Sequence, residues 1–438
     1  MLKRLIVTVA ITGILGALLA ACDDPPGSIW VDDDGLVAPN NCNSTSPGPA
    51  TIQAGIDAAA DNAIVRVCPG VYHGDVNINH PVKLYGAKMG VDARTRTIVA
   101  ANESKVTTDT SAGPCPNPVD CPPGTDATAR MKITSPDVIV DGFLFESNGP
   151  AAGLYVAPNT PSSVPVDNAR ILNNAFQANT IGLYLNGHGE DAVISVQQNR
   201  FFYDNIPAGS AAGNGIYSDQ GLTAADISNN KFERNVNGGI LFAQAASPVG
   251  PDVSNVTITN NSSANDATFV GLFGTHHNIK IRDNTITDTD TSDDATQGSQ
   301  IFIGGESGGA PGSPNGVLVS GNTMSKSPFN GIAVRDTSSN IDLIGNNSTQ
   351  AALAGISVSS TANGAASEVR LNTMDNNVTY GIEFRAGTSS TFISANHATG
   401  NGTDCFDATT GRQRALVKNI WRTDNIGTIS SPAGLCHP

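Results

Sequence analysis

Tyr155, Tyr184, Tyr217, Phe273 and Phe302 each follow an aliphatic residue in a phrase that keeps returning. The copies are Gly-Leu-Tyr at 153–155 and 182–184, Gly-Ile-Tyr at 215–217, Gly-Leu-Phe at 271–273 and Gln-Ile-Phe at 300–302. If the aliphatic side chain points inward on a strand, the ring after it points outward. Outward rings beside polar groups suit a saccharide. The C–H faces of a pyranose pack on rings, and its hydroxyls pair with amide, carboxylate and guanidinium groups. Column position therefore assigns Tyr155, Tyr184, Tyr217, Phe273, Phe302 and Asn186 to carbohydrate binding. The same columns hold Asp219, His276 and Arg335, which could serve as base, acid and oxyanion partner.

Two further groups could do chemistry. The stretch TDTDTSDDATQ (287–297) carries Asp288, Asp290, Asp293 and Asp294, and alternating carboxylates can gather Ca²⁺. It lacks the Gly and the closing Glu of an EF-hand loop, so a solvated acidic loop is the competing reading. Adjacent His276 and His277 would point to opposite sides of a strand and could not share a metal.

These residues need elements to hold them in line, and a repeat supplies the elements. An aliphatic residue is followed three places later by Asn at Asn174, Asn199, Asn230, Asn261, Asn284, Asn322, Asn346, Asn372 and Asn396. The spacing falls in the twenties and thirties, with no helical periodicity, which marks a solenoid of short strands. Asn is expected at the turns because it tolerates left-handed backbone angles, and stacked Asn amides can bond coil to coil. The chain ahead of the repeat reads as a short helix through Ile52, Ile56 and Ala59, covering the end of the stack, then strands from Ile64. Residues 93–130 break the pattern as a loop excursion. Residues 401–438 read as a C-terminal cap.

The stretch TIQAGIDAAADNAIVRVCPGVYHGDVNINHPVKLYG (51–86), with the Asn and Gly-aliphatic phrases, resembles the right-handed parallel β-helix family of pectate lyases and related carbohydrate-active proteins. The resemblance spans roughly residues 50–400. It implies an all-β, right-handed parallel β-helix of about a dozen coils, a rod of about 60 Å at ~4.8 Å per coil, with an N-terminal capping helix. The family's lyase, epimerase and galacturonase signatures are incomplete. Arg-x-Pro-x-x-Arg and Asp-Pro-His-Asp are missing, and Gly187-His188-Gly189 stands without its companion motifs.

Residues 1–21 read as a secretory signal, with Lys3 and Arg4 ahead of an apolar run. The ending Leu19-Ala20-Ala21-Cys22 resembles a bacterial lipobox and implies lipid on Cys22. Residues 22–50 would then be anchor and flexible tether. Removing Lys3 and Arg4 lowers Lys+Arg from 24 to 22 against 39 acids, moving the formal charge from −15 to −17. Such a surface repels phosphate backbones, which argues against a nucleic-acid partner. Beyond Cys22, an even six cysteines suggest disulfides in an exported chain. The local choice is Cys42 with Cys68, Cys115 with Cys121 and Cys405 with Cys436; other connectivities stay open.

The expectation is a monomeric, exported protein on a bacterial membrane, on its periplasmic or cell-surface side, held through its lipid alone. It would bind, and could modify, a polysaccharide along its strand face, with calcium as the candidate cofactor. The alternative is a non-catalytic envelope scaffold or adhesin-like protein that binds a protein partner.

Overall fold

The Asn-terminated phrases form the first corner of each coil. The computed structural model describes residues 27–107, 129–147, 151–157, 166–187, 193–206, 211–244, 252–288, 298–305, 312–359, 367–388 and 391–438. Among them, the chain winds repeatedly through three sheets of 14, 11 and 13 strands, termed first, second and third in the order a coil visits them. One coil shows the plan, with Arg170–Leu172 in the first sheet, Ala175–Gln177 in the second and Ile181–Leu185 in the third. Neighbouring coils pair in parallel, so like residues stack on like. Phe176 lies opposite Phe201, and Phe201 opposite Phe232. Their ring centroids are 4.6 and 5.0 Å apart, inside the buried core. The right-handed parallel β-helix is thus the observed fold, and the 11 to 14 strands per sheet bracket the dozen coils expected.

The Gly of the Gly-aliphatic phrase has a packing cause. A Cβ on Gly215 would meet the Gly239 carbonyl oxygen at 2.8 Å and the Phe201 and Phe232 side chains at 3.0 Å. Only a hydrogen fits between the Phe stack and the next coil's backbone.

The Asn residues form a continuous buried ladder between the first and second sheets. Asn230 sends its backbone N–H to Asn261 Oδ1 at 2.8 Å and its Nδ2 to the same oxygen at 3.1 Å. Asn261 repeats both bonds to Asn284 at 2.9 and 3.0 Å. Each Nδ2 also donates to a first-sheet carbonyl, as Asn261 does to Ile227 at 2.9 Å. The expectation that these Asn adopt left-handed angles is corrected. The residue before each one does so, including Asn173, Gln198, Asn229, Asn260 and Asp283. The ladder Asn is chosen for its amide, which satisfies the backbone N–H that the corner leaves without a strand partner.

A second ladder runs between the second and third sheets through Asn179, Asp204, Asn235 and Asp266. Two of its rungs are acids with no solvent exposure or nearly none. Asp204 Oδ1 accepts from Asn179 N and Nδ2 at 3.0 and 2.8 Å, while Asp204 Oδ2 has no partner among the described residues. Burial pushes the Asp204 carboxyl well above the usual range and raises Asp266 to about 7.

Three expected boundaries move. Ile29–Val31, placed in the flexible tether, is a strand paired with Ala63–Val67 at the end of the first sheet. The Cys42–Cys68 disulfide fastens the intervening loop, with Cα atoms 5.7 Å apart. The excursion at 93–130 contains the second-sheet strand Ser104–Thr107 and the start of the third-sheet strand Ala129–Ile133. Beyond residue 400, Thr403–Asp407 and Ile420–Trp421 extend two sheets, so the repeat runs on into the C-terminal piece. Cys405 and Cys436 are disulfide-bonded there. Cys115 and Cys121 lie outside the described residues, as does Cys22. At the other end, helix Ile52–Asp57 buries Ile52 and Ile56, and Thr51 caps it by accepting the Ala54 N–H at 3.1 Å.

Candidate functional site

The tyrosine column exists on the outward side of the third sheet. Tyr155 lies opposite Tyr184, and Tyr184 opposite Tyr217, with centroids 4.9 and 5.8 Å apart. These rings are not open to a ligand, because their exposures are 5%, 1% and 6%. They form a satellite apolar cluster with Ala129, Ala152, Ala157, Ile181 and Ala211. Tyr184 donates its hydroxyl proton to Asp219 Oδ1, and Gln220 Nε2 donates to Tyr184 Oη at 2.6 Å. Burial raises the Asp219 carboxyl above the usual range, opposed by hydrogen bonds from Tyr184 and Tyr217. The Tyr184 phenol is pushed up by burial and by the Asp219 charge, so it stays protonated and donates.

Asn186 is fully buried and works as a turn holder. Its Oδ1 accepts from Ser218 Oγ at 3.0 Å and from the backbone N–H groups of Asp219 and Gln220 at 3.1 and 3.0 Å. Direct sugar contact by Tyr155, Tyr184, Tyr217 and Asn186 is thereby corrected to a positioning role beneath Asp219 and Gln220, which stay half-exposed.

The proposed acid–base trio does not assemble. His276 is fully buried in the bend after Val270–Phe273. Its Nδ1 accepts the Val253 N–H at 3.1 Å, and its Nε2 donates to the Phe273 carbonyl at 3.0 Å. Burial lowers it to about 4, and both ring nitrogens are already committed, so it is a neutral structural residue. Its neighbour His277 does face away, pairing with Asp252 at 2.6 Å. Arg335 gives its Nη1 to the Val334 and Ser357 carbonyls at 3.1 and 3.0 Å rather than to an acid.

Phe273 and Phe302 are different. Both are half-exposed, with centroids 4.9 Å apart and planes 20° apart. The register is two residues away from the column expected, with Gly271 in the place expected for Phe273. Leu241 pairs with Gly271, which pairs with Phe302, while Ala243 pairs with Phe273, which pairs with Gly304. Each ring thus faces a glycine on the adjacent strand. A Cβ on Gly271 would lie 2.6 Å from the Phe273 ring, and one on Gly304 would lie 3.1 Å from the Phe302 ring. The absent side chains let both rings lean flat over the sheet. Around them stand Leu241 and Ala243, half-exposed, and Thr275 and Asp336, exposed. Alternation exposed these rings to sequence reasoning; their glycine partners were not legible as such.

Of the four candidate calcium ligands, only Asp288 is described, and its backbone N–H bonds the Ser325 carbonyl at 3.2 Å. Asp290, Asp293 and Asp294 lie outside the described residues. Among the described residues, the one compact group of metal-ligating types is Asp32, Cys42 and Cys68, whose two sulfurs are bonded to each other.

The fold has solved counterparts. The catalytic unit of a thermostable GH87 alpha-1,3-glucanase from Streptomyces thermodiastaticus is 17% identical, with a TM-score of 0.60 over 94% of this chain and 71% of that one. The A-module of a mannuronan C-5 epimerase from Azotobacter vinelandii is 14% identical, with a TM-score of 0.56 over 91% of this chain and 97% of that one. At these identities the likeness is one of fold. No curated protein sequence matches the chain. The model of the right handed beta helix region matches residues 152–348 and, in an overlapping placement, 250–425, and the chain belongs to that family.

Proposed function

We propose that the protein binds a polysaccharide along the outward side of its third sheet, with sugar rings seated on Phe273 and Phe302. The observation that carries this reading is the flat ring pair over Gly271 and Gly304. A planar, half-exposed aromatic platform offers C–H stacking to pyranose faces, and Thr275, Asp336, Asp219 and Gln220 offer hydroxyl partners on either side. The rigid repeat spaces such contacts along an extended ligand. Two solved β-helices of like fold are named for action on a glucan and on mannuronan, which supports the ligand class. His276 takes no part in any turnover, since both its ring nitrogens are committed to the backbone.

A glycan array probed with the lipid-free chain from residue 23 tests the class. The expected result is retention on one family of polysaccharides. No retention, with or without Ca²⁺, would leave the protein-binding scaffold as the better reading.

Export and lipid attachment at Cys22 belong to the same proposal. They rest on residues 1–22 and on two disulfides, which persist in oxidising compartments. Cys22→Ala is expected to move the protein from the membrane fraction to the soluble fraction. Unchanged membrane association would contradict the anchor.

A further inference from the structure

We infer that the chain carries a second ligand site, for a small polyhydroxylated ring bearing one oxyanion, in a cationic cleft on the outward side of the second sheet. The cleft is about 630 Å³, of the size that holds a monosaccharide or a little more. The loop through Arg94, Arg96 and Ile98 forms one wall. The floor is built by strand alternation. Phe145, Phe176, Phe201 and Phe232 point into the core, so Leu144, Glu146, Gln177, Arg200, Phe202 and Lys231 point into the cleft.

Charge marks its ligand. Arg94, Arg96, Arg200 and Lys231 line it against one lining acid, Glu146, in a chain of formal charge −15. Acids at the rim neutralise only part of this. Glu233 is shared between Arg200 Nε at 2.6 Å and Lys231 Nζ at 2.8 Å. Asp92 takes Arg94 through Nε and Nη2, and Glu146 takes Lys105 at 2.8 Å. Among the described residues, the terminal nitrogens of Arg200 and Nη1 of Arg94 make no hydrogen bond, and neither does the Gln177 amide. Guanidinium forks of this kind match a carboxylate or phosphate edge. Gln177, Thr95 and Thr97 suit hydroxyls, and half-buried Ile98 with exposed Ala100 suits a ring face, above a floor in which Arg200 stacks on buried Phe202.

The wall is pre-formed. Buried Arg96 bonds the Asn173 and Phe143 carbonyls at 2.6 and 3.0 Å and Glu103 at 3.1 Å, while Ala93 N bonds the Gln198 carbonyl at 3.1 Å. A cleft held this way loses little freedom on binding. It lies on a different sheet from the Phe273–Phe302 platform, so the two sites fail or succeed separately.

The test is calorimetric titration of the chain from residue 23 with glucuronate, glucose 6-phosphate and glucose at low salt. At least one of the two anions is expected to bind at least about tenfold more tightly than glucose, and binding should weaken as salt screens the arginines. Arg200→Gln and, separately, Arg94→Gln should each weaken it about tenfold or more with an unchanged melting temperature, while Phe273→Ala leaves it intact. The two anions tell a carboxylate site from a phosphate site. Failure of both to bind at about 10 mM, affinity equal to glucose, or full affinity in both well-folded arginine variants would overturn the assignment.

Discussion

Asn261→Ala is expected to lower stability by about 3–5 kcal/mol, the sum of several buried polar groups left unmatched. The substitution strips Asn230 of the acceptor for its N–H and Nδ2, and it strips the Ile227 carbonyl of an amide donor. Nothing else can reach these groups, because Asn230 and Asn261 are 1% and 2% exposed and water is excluded. Thr285→Ala, at an exposed outward position one coil on, should shift stability by no more than about 0.5 kcal/mol. Urea midpoints at constant slope measure both. Because a solenoid is stabilised coil by coil, the Asn230 amide should also exchange faster in the variant than amides at the far ends. Equal urea midpoints for the two variants would mean that the ladder is not a stabilising element.

The second large effect is on pH dependence and comes from the acidic rungs. Asp266, fully buried, titrates near 7 in the folded chain against an ordinary value of 3.8. The folded form therefore holds a proton that the unfolded form has released between those values. Stability from this group is fully present below about pH 4 and falls as pH rises toward 7, by about 4 kcal/mol at ~1.4 kcal/mol per pH unit. Ser263 Oγ and the Asn235 N–H and amide soften the effect by bonding the carboxylate, and the neighbouring Glu233 charge deepens it. Asp204 acts in the same direction, through burial first and the Asp266 charge besides.

Asp204→Asn isolates the effect. Asn179 and Asn235, its neighbours in the ladder, each place Nδ2 against a second-sheet carbonyl and the next rung's oxygen. An Asn at 204 would fill the same pattern, where Asp204 Oδ2 now has no partner among the described residues. The variant should gain about 3 kcal/mol at pH 7 and much less at pH 4. Stability measured at the two pH values checks the sign; a variant no more stable than wild type at pH 7 would contradict the reading.

The fold was legible because its causes are local and repeated. An inward aliphatic residue, a corner amide and a Gly beside the next coil's backbone leave the same trace every time, as at Ile227, Asn230 and Gly239. What escaped was non-local. Gly271 looks like Gly215 and Gly239 in sequence, yet it faces outward, because Val270 and not Leu272 pairs with Ile240. Phe273 then covers it. Burial of Tyr184 depends on groups from several coils and on Ala211, which no periodicity announces. His276 follows a strand, and alternation alone could not say that its ring turns back to meet Val253 and Phe273. The cationic cleft was invisible for the same reason, since Arg94 meets Arg200 only across coils.

In the proposed sugar-bearing surface, Phe273 and Phe302 each lie over a glycine two residues along their own strand. Titration of an array-identified oligosaccharide against wild type and the Phe273→Ala/Phe302→Ala double variant tests it most directly. Loss of two stacking rings should weaken binding by about tenfold to a hundredfold, with the melting temperature little changed because both rings are half-exposed. Wild-type affinity in the folded double variant would contradict it.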